Sequence, residues 1–508
     1  MNEEWYGICA KGETDERGHY QLYPRAAYYV LQQAHKLNPY SANLTADSII
    51  GGINLINDGT SGNTNAFTLS GNRITLGGNI TTTANTAGAT ITDVISLNMI
   101  LDGDRTITTN RQSGSVQHNL TISGIISESG TRGIIKAGGG VLTLTGANSY
   151  TGTTTIRGGT LVADTATNAT ILSSSSGLSF TSSGTFQLKG LSGQSRAQIL
   201  NGLSLTSGAA TIDANNVAGG TSTTIDLRGA GGTQTITRST GATVDFRATA
   251  GTFGTNAIVN TAQANDATGI LGAWATVNGG ADWAINNGSG VVTAYTGYNT
   301  LSGTTLASGG TVNYRVASNP TTPTGNITMD TTGTIDINTL RISDTAARTI
   351  DVRNGVTQGV LRFGAVGGIL SSGGSHTIGV SGGTNRGTIT AGGADNTAGE
   401  IIVNNASGLT IHSLITNNGS GAVTLTKSGA GTLTLNLGAA GSSGHTHSGG
   451  TIINIASVSA QAQVTPMPAG AVSVWPGLSD TRGQGGGHRR PRGRSQLPDR
   501  GHRLQCRA

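Results

Sequence analysis

The sequence predicts an all-β fold, a right-handed parallel β-helix (solenoid) with atypical ends, and three observations predict it. Short apolar residues alternate with polar ones at period two, as in half-buried strands. Glycine is abundant at 81 residues, while aromatic residues make up 4% and charged residues 11%. One strand–turn–strand unit occurs twice. Such a chain has too few large side chains for one bulky core, but enough Val, Ile and Leu for a thin core built coil upon coil.

The repeated unit is clearest at residues 136–161, KAGGGVLTLTGANSYTGTTTIRGGTL. Its second copy begins 291 residues later, with a longer Gly/Ser/His loop in place of GANSYTG. Strands are kept while a loop grows, as structural repeats do. The repeat-motif residues are Lys136, Gly138, Gly140, Leu142 and Leu144, with their counterparts Lys427, Gly429, Gly431, Leu433 and Leu435.

The other predicted strands follow one another along the chain, separated by Gly-Gly and Asn-Gly turn signals. A sandwich would need hairpins with two-residue turns at regular intervals, whereas these glycine-punctuated units can align in parallel. The clearest predicted strands are Ile74–Leu76, Ile91–Ile95, Leu120–Ile122, Val141–Thr145, Thr153–Ile156, Ile225–Leu227 and the more polar Thr233–Ile236.

The repeat resembles a known bacterial family. KSGAGTLTLNL at 427–437 and the 138–161 stretch closely resemble the autotransporter-associated β-strand repeat, which occurs in passenger regions of very large bacterial surface proteins. Three further stretches resemble a recurrent insert of such passengers: Trp274–Val277, Asp282–Ala284 and Ala294–Tyr298. The resemblance implies a surface-displayed structural or adhesive passenger that is not an enzyme, found at the cell surface or secreted.

Composition divides the chain into three segments. Residues 1–40 hold six of the ten tyrosines and form an atypical aromatic-rich segment, with a helix predicted over Pro24–Leu37 from its apolar spacing. This segment resembles the end of a glycosidase barrel. Residues 41–457 are predicted to form the passenger-like β-helix, and residues 458–508 a disordered or out-of-frame basic tail. Residues 1–40 lack the apolar stretch of a signal peptide, so we expect the export signal upstream or the chain to be a fragment.

The distribution of charge and the positions of the cysteines limit the classes of partner that we expect. Residues 480–508 contain eight arginines against two aspartates, so the formal net charge of +5 belongs to the tail and the body is nearly neutral. We therefore expect no nucleic acid partner. We expect a host or matrix polysaccharide or a cell-surface protein as partner, a monomeric chain and no transmembrane segment. The two cysteines, Cys9 and Cys506, lie in the ends and provide no disulfide scaffold or metal site.

An aspartate between two apolar residues recurs in the body. One interpretation is a carboxylate ladder for calcium or for acid/base chemistry on polysaccharide; the other is a solvated face that prevents aggregation. The irregular spacing favours the second. The alternative function is therefore a polysaccharide-active β-helix enzyme, or a glycosidase remnant fused to repeats. These residues are Asp213, Asp226, Asp245, Asp336 and Asp351.

Three other patterns have a functional and a structural interpretation, and we predict no catalytic, cofactor-binding or metal-binding residue and no cofactor. His445 and His447 can share a metal, but a solvated loop is favoured. Gly279–Asp282 and Gly392–Asp395 resemble single units of a calcium-binding repeat without its tandem recurrence. Four aromatic residues form either an exposed sugar-stacking row or an inward plug, which we favour: Trp274, Trp283, Tyr295 and Tyr298.

Overall fold

The computed structural model describes residues 46–56, 66, 68–83, 90–111, 116–317, 326–381, 385–437 and 444–455, and the backbone of four more short strands. Within these residues there is no helix, and strands pair mainly in parallel. They form two solenoids in series, which share no sheet. The predicted all-β solenoid is thus confirmed. In the part of the chain so described, no helix could cross a membrane.

The first solenoid contains β1 (Tyr28–Gln32), β2 (Tyr40–Ala42), β3 (Ser48–Ile50), β4 (Gly52–Ile56), β5 (Thr68–Gly71), β6 (Ile74–Leu76), β7 (Ile80–Thr82), β8 (Ile91–Ile95), β9 (Met99–Leu101), β10 (Arg105–Thr108), β11 (His118–Ile122), β12 (Ile126–Glu128), β13 (Ile134–Ala137), β14 (Val141–Leu144), β15 (Thr154–Ile156), β16 (Thr160–Asp164), β17 (Leu178–Phe180), β18 (Gly184–Lys189), β19 (Ser195–Ile199), β20 (Leu203–Leu205), β21 (Ala209–Asn215), β22 (Ser222–Asp226), β23 (Ile236–Arg238), β24 (Thr243–Arg247), β25 (Ala257–Asn260), β26 (Ala275–Val277), β27 (Asp282–Asn286) and β28 (Val292–Ala294).

The second solenoid contains β29 (Asn299–Thr300), β30 (Thr305–Leu306), β31 (Gly309–Val316), β32 (Ile327–Met329), β33 (Thr334–Ile342), β34 (Thr349–Asp351), β35 (Arg353–Asn354), β36 (Thr357–Gln358), β37 (Val360–Ser371), β38 (His376–Ile378), β39 (Thr388–Ala391), β40 (Gly399–Asn405), β41 (Leu409–Ile411), β42 (Leu414–Ile415), β43 (Val423–Ser428), β44 (Leu433–Asn436), β45 (Thr451–Ile455), β46 (Val464–Thr465) and β47 (Val472–Pro476).

Two long sheets form the main faces of the first solenoid. Sheet 1 runs β1-β4-β7-β10-β13-β15-β17-β20-β23, and sheet 2 runs β2-β5-β8-β11-β14-β16-β18-β21-β24-β26 before the antiparallel strands β27 and β28. Two shorter sheets, β3-β6-β9-β12 and β19-β22-β25, lie along part of its length. In the second solenoid, sheet 3 follows β29-β31-β33-β37-β40-β43-β45-β47 and sheet 4 follows β30-β32-β34-β38-β41-β44-β46.

Inward side chains stack in register from coil to coil. In sheet 1 one such ladder runs Ile53, Ile80, Ile107, Lys136, Ile156, Phe180, Leu205, and every member is buried. Period-two alternation therefore has the predicted effect: one face of each strand fills a narrow core and the other faces outward. Lysine is the one polar residue in this ladder.

The second solenoid lies with its side against the end of the first. Hydrogen bonds join the two along this junction: Asn313 Nδ2 to Thr268 O (2.9 Å), Arg341 Nε to Ala281 O (2.9 Å), Thr243 Oγ1 to Ser428 Oγ (3.0 Å) and Asn454 Nδ2 to Gly241 O (2.6 Å). On the first solenoid these residues belong to its last two coils, whereas on the second they extend from β31 to β45. The second solenoid therefore covers the final coils of the first.

Strands at the two ends of the chain differ from the helix and the disordered tail that the sequence predicts there. The predicted helix over Pro24–Leu37 is wrong at Tyr28–Gln32, which form β1 and pair in parallel with β4. Tyr and Val suit a strand, and β4 offers an open edge. Strands β46 and β47 continue sheets 4 and 3 into the predicted disordered tail. The rest of residues 1–39 and of residues 477–508 lies outside the described part of the chain.

Candidate functional site

Lys136 of the repeat motif points into the core. Its side chain is buried, between Ile107 and Ile156 in the ladder. Its Nζ donates hydrogen bonds to the carbonyl oxygens of Ala137 (2.8 Å), Gly138 (2.8 Å) and Gly158 (3.0 Å). Burial lowers the pKa of Lys136 to about 7. The lysine thus links the end of β13 to the turn that follows β15.

Lys427 repeats this arrangement in the second solenoid. It too is buried, with Val403 and Ile453 as its neighbours in the stack. Its Nζ donates to the carbonyl oxygens of Ser428 (2.5 Å) and Gly429 (2.7 Å), and burial lowers its pKa to about 7. The repeated lysine is therefore an internal clamp on the backbone. The inward direction of Lys136 could be predicted from the sequence, because Lys136 is two residues from Ile134 and alternate residues of a strand face the same side.

The glycines of the motif are required by close backbone contacts. Gly138 and Gly429 both have φ of +77°, and a Cβ on Gly138 would lie 2.2 Å from the carbonyl oxygen of Thr109. A Cβ on Gly431 would lie 2.3 Å from the carbonyl oxygen of Ser407. The four motif leucines are buried in the two cores. All ten motif positions thus have structural surroundings that explain their residue type: Lys136, Gly138, Gly140, Leu142, Leu144, Lys427, Gly429, Gly431, Leu433 and Leu435.

A buried Asp–His pair lies inside the first solenoid and was not predicted. His118 Nε2 is 2.6 Å from Asp93 Oδ2, and His118 Nδ1 donates to the carbonyl oxygen of Thr83 at 2.5 Å. Burial alone would lower the pKa of His118, but Asp93 and the Thr83 carbonyl outweigh it and raise that pKa. The inward position of Asp93 could have been predicted from the sequence, because it alternates with Ile91 and Ile95 on one face of the strand. The pair has no opening to a ligand and acts as part of the core.

The five aspartates do not form a ladder. None is the cross-strand neighbour of another, and each has its own polar partners. Asp226 and Asp351 each accept two hydrogen bonds from the arginine two residues on, at 2.7–2.8 Å. Asp213 and Asp351 are buried, so the solvated face predicted for them is wrong. Asp213 accepts from Gln187 (2.8 Å), from the Thr249 hydroxyl and from the Thr249 backbone (2.8 Å).

The two glycine-rich motifs, Gly279–Asp282 and Gly392–Asp395, take part in hydrogen bonds and ion pairs of acidic side chains rather than in a cation site. Asp245 accepts hydrogen bonds from Thr276 Oγ1 (2.9 Å) and from the N–H groups of Gly279 (2.9 Å) and Gly280 (3.0 Å), while burial raises its pKa. The turn at 278–280 has positive φ throughout, which directs these N–H groups at the carboxylate. It lines a cavity of about 160 Å³ at the junction of the solenoids.

The second glycine-rich motif supplies Asp395, which pairs with Arg362. Arg362 also donates to Asp336 at 2.5 Å, and these two carboxylates raise its pKa, Asp336 having the larger effect. Among the described residues no group of three or more His, Cys, Asp or Glu is arranged to hold a metal. Neither glycine-rich motif therefore presents a cation site in this part of the chain.

His445 and His447 are buried, so the solvated loop predicted for them is wrong. The Ile415 backbone N–H donates to His445 Nδ1 at 3.0 Å, which places the ring hydrogen on Nε2. A metal at Nε2 would have to displace that hydrogen. His447 Nε2 lies 3.0 Å from Thr451 Oγ1. Burial lowers the pKa of His445 to about 4, consistent with a neutral core histidine.

The aromatic residues form a plug at the end of the first solenoid, as favoured from the sequence. Trp283 is fully buried and Trp274 almost so, while Tyr295 and Tyr298 pack partly buried against the core, with ring centroids 4.8 Å apart. The Arg238 guanidinium lies 6.0 Å from the ring centroid of Trp274. These rings are not an exposed row for stacking sugars.

An open groove runs along the outer face of sheet 1, beside the first repeat. Its volume is about 460 Å³, and its lining includes Asp104, Thr131, Thr153, Thr155, Ser175 and Asn201. These residues come from successive coils and lie next to β10, β13, β15, β17 and β20. No lysine or arginine is among the residues that line it. This groove was not predictable from the sequence, because most of its lining residues lie in turns between strands.

Comparison with known proteins identifies the repeat. Residues 134–163 and 425–454 both match the family model of the passenger-associated-transport-repeat. These segments contain the two lysine clamps and their glycine turns. The comparisons found no similar curated protein and no similar solved structure. The chain thus carries two passenger-associated transport repeats within a β-solenoid, consistent with an autotransporter passenger.

Proposed function

We propose that this chain is a non-enzymatic, surface-displayed passenger with a structural or adhesive role, and that it acts as a monomer. The observation that carries the proposal is the pair of transport repeats, each built into the core of a solenoid. The nearly neutral body also suits a displayed stalk. In this proposal residues 41–457 are the passenger segment, between atypical ends at 1–40 and 458–508, and host or matrix polysaccharide or a cell-surface protein is the partner.

The alternative of a polysaccharide-active enzyme receives little support from the aspartates. Glycosidases need two carboxyl groups about 5 Å apart or about 6.5–9.5 Å apart, flanking the scissile bond. No two of the five aspartates lie directly opposite each other in the strand register. Asp213 and Asp245 are diagonal neighbours on β21 and β24, but each of the five has donors that satisfy its oxygens. A carboxylate that is engaged in this way is poorly suited to proton transfer.

Surface display can be tested directly in the source bacterium. Antibodies raised against the second solenoid should label intact cells, and external protease should remove the signal. A periplasmic protein followed in the same cells serves as the control for envelope integrity. Labelling that requires permeabilised cells would refute the proposal. Release of reducing ends from polysaccharide by the purified chain would instead favour the enzyme alternative.

A further inference from the structure

Several hydroxyl groups that line the groove on sheet 1 have no side-chain hydrogen bond within the described residues, as is also true of outward threonines such as Thr121 and Thr143. Many hydroxyls elsewhere donate to the backbone of a neighbouring coil, such as Thr83 to Leu55 O (3.0 Å) and Thr165 to Lys189 O (2.8 Å). In the groove, Thr131, Thr153 and Thr155 make no side-chain hydrogen bond within the described residues. The Ser175 hydroxyl and the Asn201 amide are likewise without a side-chain partner there. A row of free donors and acceptors therefore faces the groove.

Neighbouring coils pack backbone against backbone beside the groove. A Cβ on Gly133 would lie 2.1 Å from the carbonyl oxygen of Thr153, and a Cβ on Gly152 would lie 2.1 Å from the carbonyl carbon of Arg132. No side chain can occupy these positions, so neighbouring coils approach each other closely beside the groove. The groove follows the solenoid axis past five strands of sheet 1, from β10 to β20. At a strand spacing of about 4.8 Å it is about 19 Å long.

The chemistry of the lining selects among partners. Hydroxyls and amides both donate and accept hydrogen bonds, which matches the hydroxyl groups of sugars. The only charged residue in the lining is Asp104, whose Oδ1 accepts from the Gly133 N–H at 2.8 Å. Polyanions such as nucleic acids need cations that this lining lacks. An extended peptide usually adds to an open sheet edge, whereas the groove crosses strands that are paired on both sides.

We propose that this groove binds an extended, neutral polysaccharide, lying along the solenoid axis with its hydroxyls on Thr153, Thr155, Ser175 and Asn201. Ile135 lies in the lining and offers an apolar contact to the C–H face of a sugar ring. The proposal rests on the adhesive role given above and assigns it a site. It also replaces the sugar-stacking row of aromatics, of which the tryptophans are buried and the tyrosines partly buried.

The test uses the purified chain and a panel of soluble malto-, cello-, manno- and galacto-oligosaccharides, followed by calorimetry. Thr153→Val with Thr155→Val removes two groove hydroxyls and keeps side-chain shape and strand propensity. The matched control is Thr121→Val with Thr143→Val, two outward threonines of sheet 2 on neighbouring coils. We expect saturable binding of at least one oligosaccharide, weakened about tenfold or more by the groove variant and unchanged by the control.

Three results would overturn the proposal: no binding by any oligosaccharide at millimolar concentration, equal weakening by both variants, or tighter binding of an oligouronate than of its neutral counterpart. Circular dichroism of both variants shows whether the solenoid is retained, and Ser175→Ala provides a second groove variant if the first does not fold. Because binding is measured in solution, a negative result leaves surface display standing. A failure of display with intact binding would refute the passenger role alone.

Discussion

The buried lysines show how one residue can be both a repeat signature and a stability determinant. Lys136 takes the place of an isoleucine in its ladder, yet its Nζ donates to three carbonyl oxygens. The Ala137 carbonyl also accepts from the Thr109 N–H (3.0 Å), whereas the carbonyls of Gly138 and Gly158 lie in turns outside the strands. Leaving a buried carbonyl unpaired costs about 1–3 kcal/mol, which explains why a lysine is retained in an apolar stack.

Lys136→Met should lower stability, and by more at high pH. Burial lowers the pKa of Lys136 from its ordinary value of 10.5 to about 7, so above pH 7 the folded side chain is a neutral amine with two N–H donors for the three nearby carbonyls. Folding therefore releases a proton between these limits, and wild-type stability gains about 1.4 kcal/mol per pH unit across that window. Urea unfolding at pH 7.5 and 9.5 should show a gap between wild type and variant that widens with pH. A gap independent of pH would contradict this. Lys189→Met, on the half-exposed outer face, controls for loss of one charge.

The Asp93–His118 pair should give stability the opposite pH dependence. The pKa of His118 is raised in the folded chain, so its contribution is complete below the ordinary value of about 6.5 and is lost as pH rises through the raised value. Asp93→Asn leaves the shape but removes the carboxylate, and breaking a buried pair costs about 3–5 kcal/mol. Urea midpoints should differ more at pH 6 than at pH 8.5. Equal differences at both pH values would show that the pair is not charged in the folded state.

At the scale of the element, the sequence predicted strands better than their surroundings. Ile74–Leu76 and Ile91–Ile95 are strands with the predicted bounds, because alternation and flanking glycines agree there. The strand predicted at Thr233–Ile236 has the wrong bounds, since the strand begins only at Ile236. The helix expected near Pro24 failed over β1 because pairing with β4 outweighs a helical spacing of apolar residues. The local sequence pattern thus identifies most strands, while pairing with a neighbouring strand decides the structure of segments whose own pattern is ambiguous.

Two glycine variants should separate backbone strain from steric contact. Gly138 (φ +77°) and Gly193 (φ +73°) have nearly the same conformation, but a Cβ meets a backbone oxygen at 2.2 Å in the first and nothing within 4 Å in the second. We expect Gly193→Ala to cost about 1 kcal/mol, the price of a left-handed residue. Gly138→Ala should cost about 3 kcal/mol or more, because neighbouring coils must move apart. Urea unfolding of both variants measures the difference, and equal losses would contradict the role given to close coil contact.

At the scale of the whole molecule, the junction gives the first solenoid a covered end. Arg238 Nη2 donates to both carboxylate oxygens of Glu400, at 2.8 and 2.7 Å, across 162 residues of sequence. Glu400 also accepts from the Gly241 N–H (3.0 Å) and from Thr426 Oγ1 (2.6 Å). An uncovered terminal coil would present open strand edges. No local pattern in the sequence announces such a contact, which is why the coils and their repeat-motif residues were predictable but the groove and the arrangement of the two solenoids were not.

Glu400→Gln should uncouple the two solenoids. The variant keeps the shape of the side chain but leaves the nearly buried Arg238 without its counter-charge, at a cost of about 3–5 kcal/mol. Each solenoid has its own core, and among the described buried residues of the second solenoid only Leu370 and Ile402, at the junction, pack into the core of the first. Weakening the junction should therefore split a single calorimetric transition into two, with the first solenoid melting earlier. Arg353→Met is the matched control, since it breaks an arginine–aspartate pair of similar exposure within the second solenoid alone. The control should shift the melting temperature without splitting the transition. If Glu400→Gln and Arg353→Met give the same single transition, the junction does not hold the solenoids together as one cooperative unit.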